Sequence, residues 1–423
     1  MYKFKSAFVY SIILFFGFIF TQSLFAQDTT QYIEKNRTNT KVQQDKPYVI
    51  LISADGFRYD FARRYDAKNL IRLANTGVEA TSMKPSFPTL TFPNHYSIAT
   101  GLYPAHHGIV SNRFYDPARK EIYALGKKES VEDGTWYGGT PLWVLAEKQQ
   151  MVSASFFWVG SESDVQKTRP TYYFKYSEVF KFDRRLQILK EWLALPADRR
   201  PHLITFYFPE VDHAAHSFGV YSKETEEAVH ILDRSIGEMN KMCAATGLPI
   251  NFVFVSDHGF TDVDTVNTLT VPPIDTSKFL VSTSSNLVQI YAKEKKDIVP
   301  AYNALKKLDN HYTTYLAENV PADWHYGELD DYYNRVGDII LASDEPFIFY
   351  SRGRKSPATH GFDNKLQEMQ ATFYAWGPAF KKNLKINNFE NVHVYPMIAK
   401  ILGLTFDPES IDGRVEVLEG ILK

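Results

Sequence analysis

Seven side chains carry the chemistry that this sequence offers: the carboxylates of Asp55, Asp212 and Asp257, the imidazoles of His216, His258 and His360, and the hydroxyl of Thr91. Mixed carboxylate and imidazole sets suit zinc, whereas calcium and magnesium favour oxygen ligands alone. Seven ligands exceed one tetrahedral ion and match two that keep open positions. Paired ions about 3.5–4 Å apart stabilise the attacking and leaving oxygens of a phosphoryl transfer. Thr91 opens Thr91-Phe92-Pro93-Asn94-His95, after which residues 94–100 read as a short helix. Proline is tolerated in a first helical turn, because N–H groups there lack an intrahelical partner. That places the hydroxyl at a helix N-terminus, where free N–H groups and the dipole favour an anion such as phosphate. Thr91 is thus a candidate nucleophile, and a plain N-cap is its alternative.

Read singly, each piece also has a plainer role. Asp212 and His216, four apart, fit a surface ion pair, and Asp257-His258-Gly259 fits a turn with a capping aspartate. His95, His106, His107 and His213 read as packing or surface histidines.

The elements that must position these groups are legible in outline. Residues 48–53, 202–208 and 251–256 are short apolar runs of the kind buried in parallel sheets, and all three lead into the acidic or imidazole candidates. Helical patterns fall at 67–74, closed by Gly77, and at 223–243, where Val229, Leu232, Ile236 and Met239 recur near helical spacing. Alternating strands and helices imply a mostly parallel doubly wound α/β sheet, which binds ligands beyond the carboxyl ends of its strands. From 261 to 354 the pattern changes to strands at 287–291, 312–316 and 338–342 with a helix at 298–308, read as a smaller α+β insertion. The chain returns through Thr359-His360-Gly361, a strand at 371–376 and a helix at 394–402.

At 423 residues, with 44% hydrophobic and 23% charged residues, the chain is an ordinary globular protein with a large core. A formal net charge of −2 gives no footprint for a nucleic-acid polymer. Residues 1–26 read as a signal peptide: Lys3 and Lys5, an apolar run at 8–20, and a cut after Ala26, with an uncleaved anchor as the alternative. That run falls short of the roughly 20 residues that span a bilayer. The lone Cys243 permits no internal disulfide, which fits a bacterial periplasm or cell surface. Residues 27–46 are polar and read as a flexible leader, with the catalytic domain from 47 to 423.

The order of motifs, strand-Asp55-Gly56, Thr91-Phe92-Pro93-Asn94-His95, Asn112, Asp212-x3-His216, Ser256-Asp257-His258-Gly259 and Thr359-His360-Gly361, resembles the nucleotide pyrophosphatase/phosphodiesterase family of the alkaline phosphatase superfamily, in its compact bacterial form. The resemblance covers about residues 48–404 and implies an alkaline-phosphatase-like core. It further implies two zinc ions, one held by Asp212, His216 and His360, the other by Asp55, Asp257, His258 and the Thr91 oxygen. Asn112 stands where the family places an amide on a phosphate oxygen. The reaction implied is hydrolysis of a small phosphodiester or nucleotide substrate through a phosphothreonine on Thr91. Coordination would lower the pKa of the hydroxyl without a histidine base. Phe92 and Tyr176 match positions that sandwich a nucleobase, and Trp158 and Tyr207 match pocket-lining positions, while Val159 and Glu162 replace a proline and an aspartate. Alternatives are a monoesterase gripping phosphate with Lys167 and Arg169, a lipid or choline-headgroup phosphodiesterase, and a surface-binding protein whose metals only hold the fold. A sulfatase is disfavoured, because Cys243 lacks the Cys-x-Pro-x-Arg context.

Overall fold

A computed structural model describes residues 28–350 and 355–423; the expected signal peptide falls outside them. Nine strands form the central sheet: β1 (Tyr32–Ile33), β2 (Tyr48–Ala54), β3 (Val78–Ala80), β4 (Ser153–Phe156), β5 (Tyr172–Phe174), β6 (Leu203–Phe208), β7 (Ile250–Val255), β8 (Phe373–Trp376) and β9 (Leu384–Ile386). Their spatial order is β1-β5-β4-β6-β2-β7-β8-β3-β9. The five strands from β5 to β7 run parallel, with antiparallel pairs where β1 meets β5 and where β8 meets β7 and β3. This is the expected mostly parallel α/β sheet.

Every residue of β2 is buried, as an apolar run between two parallel neighbours requires. Its side chains alternate: Val49 and Leu51 enter one core, Ile50 and Ile52 the other. Each fully buried aliphatic side chain there contributes about 1.5–3 kcal/mol of transfer free energy. Among the helices that pack around the sheet and the site are α1 (Lys68–Thr76), α2 (Thr91–Thr100), α3 (Pro104–His107), α4 (Glu210–Phe218), α5 (Lys223–Ala244) and α6 (Val394–Leu402). Helices α1, α4 and α5 bury Leu73, Ala215 and Ile236 in the core shared with Ile50, while α2 and α6 bury Ile98 and Ile398 in the core shared with Leu51. Long α5 starts at a capped end, where Ser222 Oγ accepts a hydrogen bond from the Thr225 N–H. Helix α2 ends at Gly101, whose φ of 71° closes the last turn and whose missing Cβ leaves room for Tyr395.

The expected insertion carries a second sheet of four antiparallel strands, Phe279–Thr283, Leu287–Ala292, Tyr312–Leu316 and Ile339–Ser343, with helix Ile298–Leu305 over its own small core. At its base Thr261–Asp262 pairs with Ala358–Thr359. The polar leader, expected to be flexible, instead makes specific contacts in its described part. Tyr32 and Ile33 add a strand to the sheet edge, Asn39 caps two carbonyls and the Val152 N–H, and Arg37 lies 3.5 Å from Glu147. Composition reports low hydrophobicity, and these contacts are polar, so composition could not reveal them.

A buried histidine joins three remote segments. His106 on α3 sits with Nδ1 2.8 Å from Asp412, Nε2 3.3 Å from Asp330, and its ring stacked on Tyr332 at 4.3 Å. Burial opposes charge here, but the two carboxylates hold the imidazole above its ordinary value of 6.5. Its contribution to stability is therefore fully present below that value and lost as pH rises through the higher folded one. His106→Gln is expected to cost about 1 kcal/mol near pH 6 and little near pH 9, as a partly screened pair should. Urea melts at both pH values check this; equal losses would remove the charge account.

Candidate active site

The parallel register brings the first two acidic groups to one level. Ser53 of β2 pairs with Tyr207 of β6 and Val255 of β7, so Asp55 and Asp257 both leave the sheet at its carboxyl edge. Asp212 follows β6 on the first turn of α4. Gly56 allows the turn after β2: its φ is +65°, a Cβ would lie 2.9 Å from Phe260, and its N–H donates to Asp257 Oδ1 at 3.1 Å. On α4, Asp212 and His216 are one turn apart on a common face, with 3.5 Å between Oδ1 and Nε2. His360 follows the short strand at the base of the insertion, and its Nε2 lies 3.6 Å from the same Asp212 oxygen. His258 Nε2 is 2.9 Å from Asp257 and 3.4 Å from Asp55, and its ring stacks on His360 at 3.6 Å.

The three imidazoles share one orientation. Nδ1 of His216 faces the Ala358 carbonyl at 3.1 Å, that of His258 the Gly259 carbonyl at 2.9 Å, and that of His360 the Thr89 carbonyl at 2.8 Å. Each Nδ1 thus donates its N–H to a backbone oxygen, which leaves the Nε2 lone pair facing the carboxylates, the arrangement typical of metal-ligating histidines. Asp55 Oδ1, Asp212 Oδ1 and Asp257 Oδ2 are buried and accept no hydrogen bond among the described residues. A buried acceptor left so costs about 1–3 kcal/mol, and more when charged. Burial, then repulsion from Asp257 and Asp212, holds the Asp55 carboxyl well above its usual range. Asp257 is held well below that range: burial works against its charge, but His258 and His95 outweigh it. His360 is pushed well below the usual imidazole range by burial and by His258 and His216. Crowded anionic oxygens facing imidazole lone pairs are the surroundings a divalent cation relieves, so these residues fit the expected metals. Three sets with candidate ligand atoms within 4.8 Å of one another are Asp212-His216-His360, Asp55-Asp212-His258 and Asp55-His95-Asp257.

Thr91 stands at the first helical position of α2, half-buried, with Oγ1 3.3 Å from His258 Nε2. Leu90 is the N-cap and makes no side-chain cap bond, so Thr91 is not the capping residue. Asn94 anchors this start: its amide N–H groups bond the Pro88 and Leu90 carbonyls, and its Oδ1 accepts from Ser86 N–H. Thr89 ties the same loop to the last ligand, with Oγ1 accepting from Gly361 N–H. Asn112 accepts the Phe92 N–H on Oδ1 at 3.0 Å, which leaves its amide N–H groups as donors.

The expected substrate residues divide. Phe92 is partly exposed beside Tyr123, and Tyr176 is 42% exposed against Tyr207. Trp158 and Tyr207 do not line an open surface. Trp158 is 1% exposed and donates its indole N–H to the His95 carbonyl, while Tyr207 is 7% exposed and donates its hydroxyl to Asp55 at 2.5 Å. Both support the site from behind, because polar tips on large rings reach buried acceptors. Arg169 is held by the Glu162 carbonyl and Lys167 is exposed, so neither gains a grip from the contacts it makes.

Among the four histidines read as packing or surface, His213 is exposed and His106 and His107 are buried away from the cluster. His95 differs: it is fully buried, with Nδ1 2.9 Å from the Thr91 carbonyl and 3.2 Å from Asp257 Oδ2. The signal that could have found it is spacing, since His95 lies four residues beyond Thr91 on one helix face.

Residues 49–363 match the family model described as type I phosphodiesterase / nucleotide pyrophosphatase. The chain is 32% identical over 389 residues to ectonucleotide pyrophosphatase/phosphodiesterase family member 1 of Mus musculus, covering 86% of this chain and 42% of that protein. An uncharacterized pyrophosphatase/phosphodiesterase of Schizosaccharomyces pombe is 33% identical over 399 residues, covering 86% and 78%. The structure of murine ectonucleotide pyrophosphatase / phosphodiesterase 5, as an inactive variant in complex with AMP, superposes with a TM-score of 0.82 at 28% identity, covering 89% of this chain and 100% of that one. The chain spans under half the length of the mouse family member 1 it matches.

Proposed function

Because the chain belongs to the type I phosphodiesterase / nucleotide pyrophosphatase family, we propose that it hydrolyses phosphodiester or pyrophosphate bonds of nucleotides with Thr91 as nucleophile. The observation that carries this reading is the half-buried Thr91 hydroxyl at a helix N-terminus, 3.3 Å from an imidazole of the six-residue Asp/His cluster. Asp212, His216 and His360 would hold one zinc ion, and Asp55, Asp257, His258 and the Thr91 oxygen a second. Bound there, the pair would lower the pKa of the hydroxyl and offset charge on the leaving oxygen.

Thr91 Oγ1 gives up its proton to water and attacks phosphorus in line, the bond to the leaving oxygen breaks and that oxygen takes up a proton from water, and the nucleoside phosphate remains ester-linked to Thr91. Water then cleaves that ester and releases the nucleoside monophosphate. Asn112 N–H groups and the Thr91 N–H, which has no partner among the described residues, donate to the equatorial oxygens, each worth about 3 kcal/mol in such sites. Tyr207 fixes the Asp55 carboxylate by its hydrogen bond. Phe92 and Tyr176 offer aromatic faces for the base, where stacking contributes about 1–3 kcal/mol per base. AMP in the related murine structure supports a nucleotide class. Among the described residues no helix is long and apolar enough to cross a membrane, and the ectoenzyme relatives with the apolar N-terminal run support export.

Turnover of bis-p-nitrophenyl phosphate against p-nitrophenyl phosphate tests this reading. The diester is expected to react faster; a preference for the monoester would favour the monoesterase alternative. Phe92→Ala is expected to raise KM for a nucleotide ester by about 5- to 150-fold, the equivalent of one lost stack, and far less for a methyl ester of p-nitrophenyl phosphate. Equal effects on both esters would remove the base-stacking role.

A further inference from the structure

His95 stands between the nucleophile and the metal ligands yet is neither. Its Nδ1 faces the Thr91 carbonyl at 2.9 Å and so carries the proton, which disqualifies that nitrogen as a metal ligand although Asp55 and Asp257 lie within coordinating reach. Nε2 meets Ser53 Oγ at 2.8 Å, at the end of β2, two residues before Asp55. The same Nδ1 lies 3.2 Å from Asp257 Oδ2, the oxygen that accepts no hydrogen bond among the described residues. Trp158 and Tyr207 close around the ring with centroids at 5.3 and 5.1 Å, and Trp158 grips the His95 carbonyl. One imidazole thus touches the strand that delivers Asp55, the carboxylate of Asp257 and the backbone of Thr91. These are the three parts whose spacing sets where the hydroxyl stands against the second metal position.

We propose that His95 is a positioning residue that fixes Thr91 against the Asp55-Asp257-His258 half of the site. The inference rests on the nucleophile and paired-metal reading above. Ser53 donates to Nε2, which leaves the proton on Nδ1, and Nδ1–H holds the Thr91 carbonyl. The ring packs beside Asp257 and limits its rotation. The Asp212-His216-His360 half makes no such contact with His95, so loss of the imidazole acts on one half alone.

The test compares wild type, His95→Leu and His95→Asn as full-length zinc-loaded protein. Leucine fills space without a donor, whereas an asparagine amide can reach the place of Nδ1–H. His95→Leu is expected to lower kcat for a diester by about 10- to 100-fold, with KM within about twofold, the scale seen when a group behind a metal ligand is lost. In competition with a chelator, one of its two zinc ions should weaken by a similar factor while the other holds as in wild type. His95→Asn should recover most of both losses, although its melting temperature falls as far as that of His95→Leu. If asparagine is no better than leucine, or leucine loses neither kcat nor zinc, the positioning role is overturned. Failure of the underlying reading shows differently, as a wild-type protein that binds no zinc. The leucine and asparagine kcat values still decide the role of His95 in that case.

Discussion

Thr91→Ala is expected to reduce diester turnover by about 10⁴-fold or more while zinc content and melting temperature stay near wild type. That is the scale on which removal of an attacking hydroxyl acts in other hydrolases, about 5 kcal/mol of transition-state stabilisation. The structure explains why the rest should survive. Thr91 is half-buried, its side chain does not cap α2, and the start of that helix is held by Asn94 and Thr89. Six other candidate ligands would remain for the proposed ions. Quenching wild-type turnover in acid should reveal phosphate bound to Thr91, and the alanine variant should show none. Substantial residual turnover in the variant would defeat the nucleophile assignment, because water would then be attacking directly.

Exhaustive chelation is the second large effect. Turnover is expected to vanish, to return with Zn²⁺, and to stay absent with Ca²⁺ or Mg²⁺, which favour all-oxygen sets. The protein should also lose stability. Three buried carboxylate oxygens with no donor among the described residues would then face one another and three imidazoles, where burial first and the neighbouring carboxylates second already drive the Asp55 carboxyl upward. Ligands must be deprotonated to bind, so zinc affinity should fall as pH drops. Full activity after removal of zinc would contradict the metal reading and leave the cluster a structural network.

The order of motifs singles out the seven candidate residues, and local rules mark the boundaries at which several of them sit. Apolar runs end at Asp55 and Asp257, and four-residue spacing sets Asp212 and His216 on one helix face. Parallel pairing then brings the strand ends level without further information from the sequence. Less was visible where meaning depends on tertiary contact. Trp158 and Tyr207 are large aromatics near the site in any reading, and only the fold shows that their polar tips turn inward, to His95 and Asp55. His95 itself reads as a core residue by type, and its role depends on Ser53 and Asp257, which are remote in sequence. The leader reads as flexible for a related reason: Asn39 and Arg37 attach it through hydrogen bonds and charge, which hydropathy does not register.

The arrangement of ions around Thr91 is best examined by anomalous X-ray diffraction at the zinc edge on crystals of the purified protein. Two peaks about 3.5–4 Å apart are expected, one among Asp212, His216 and His360 and one among Asp55, Asp257 and His258 beside the Thr91 hydroxyl. A single peak, or peaks remote from Thr91, would contradict the two-ion account.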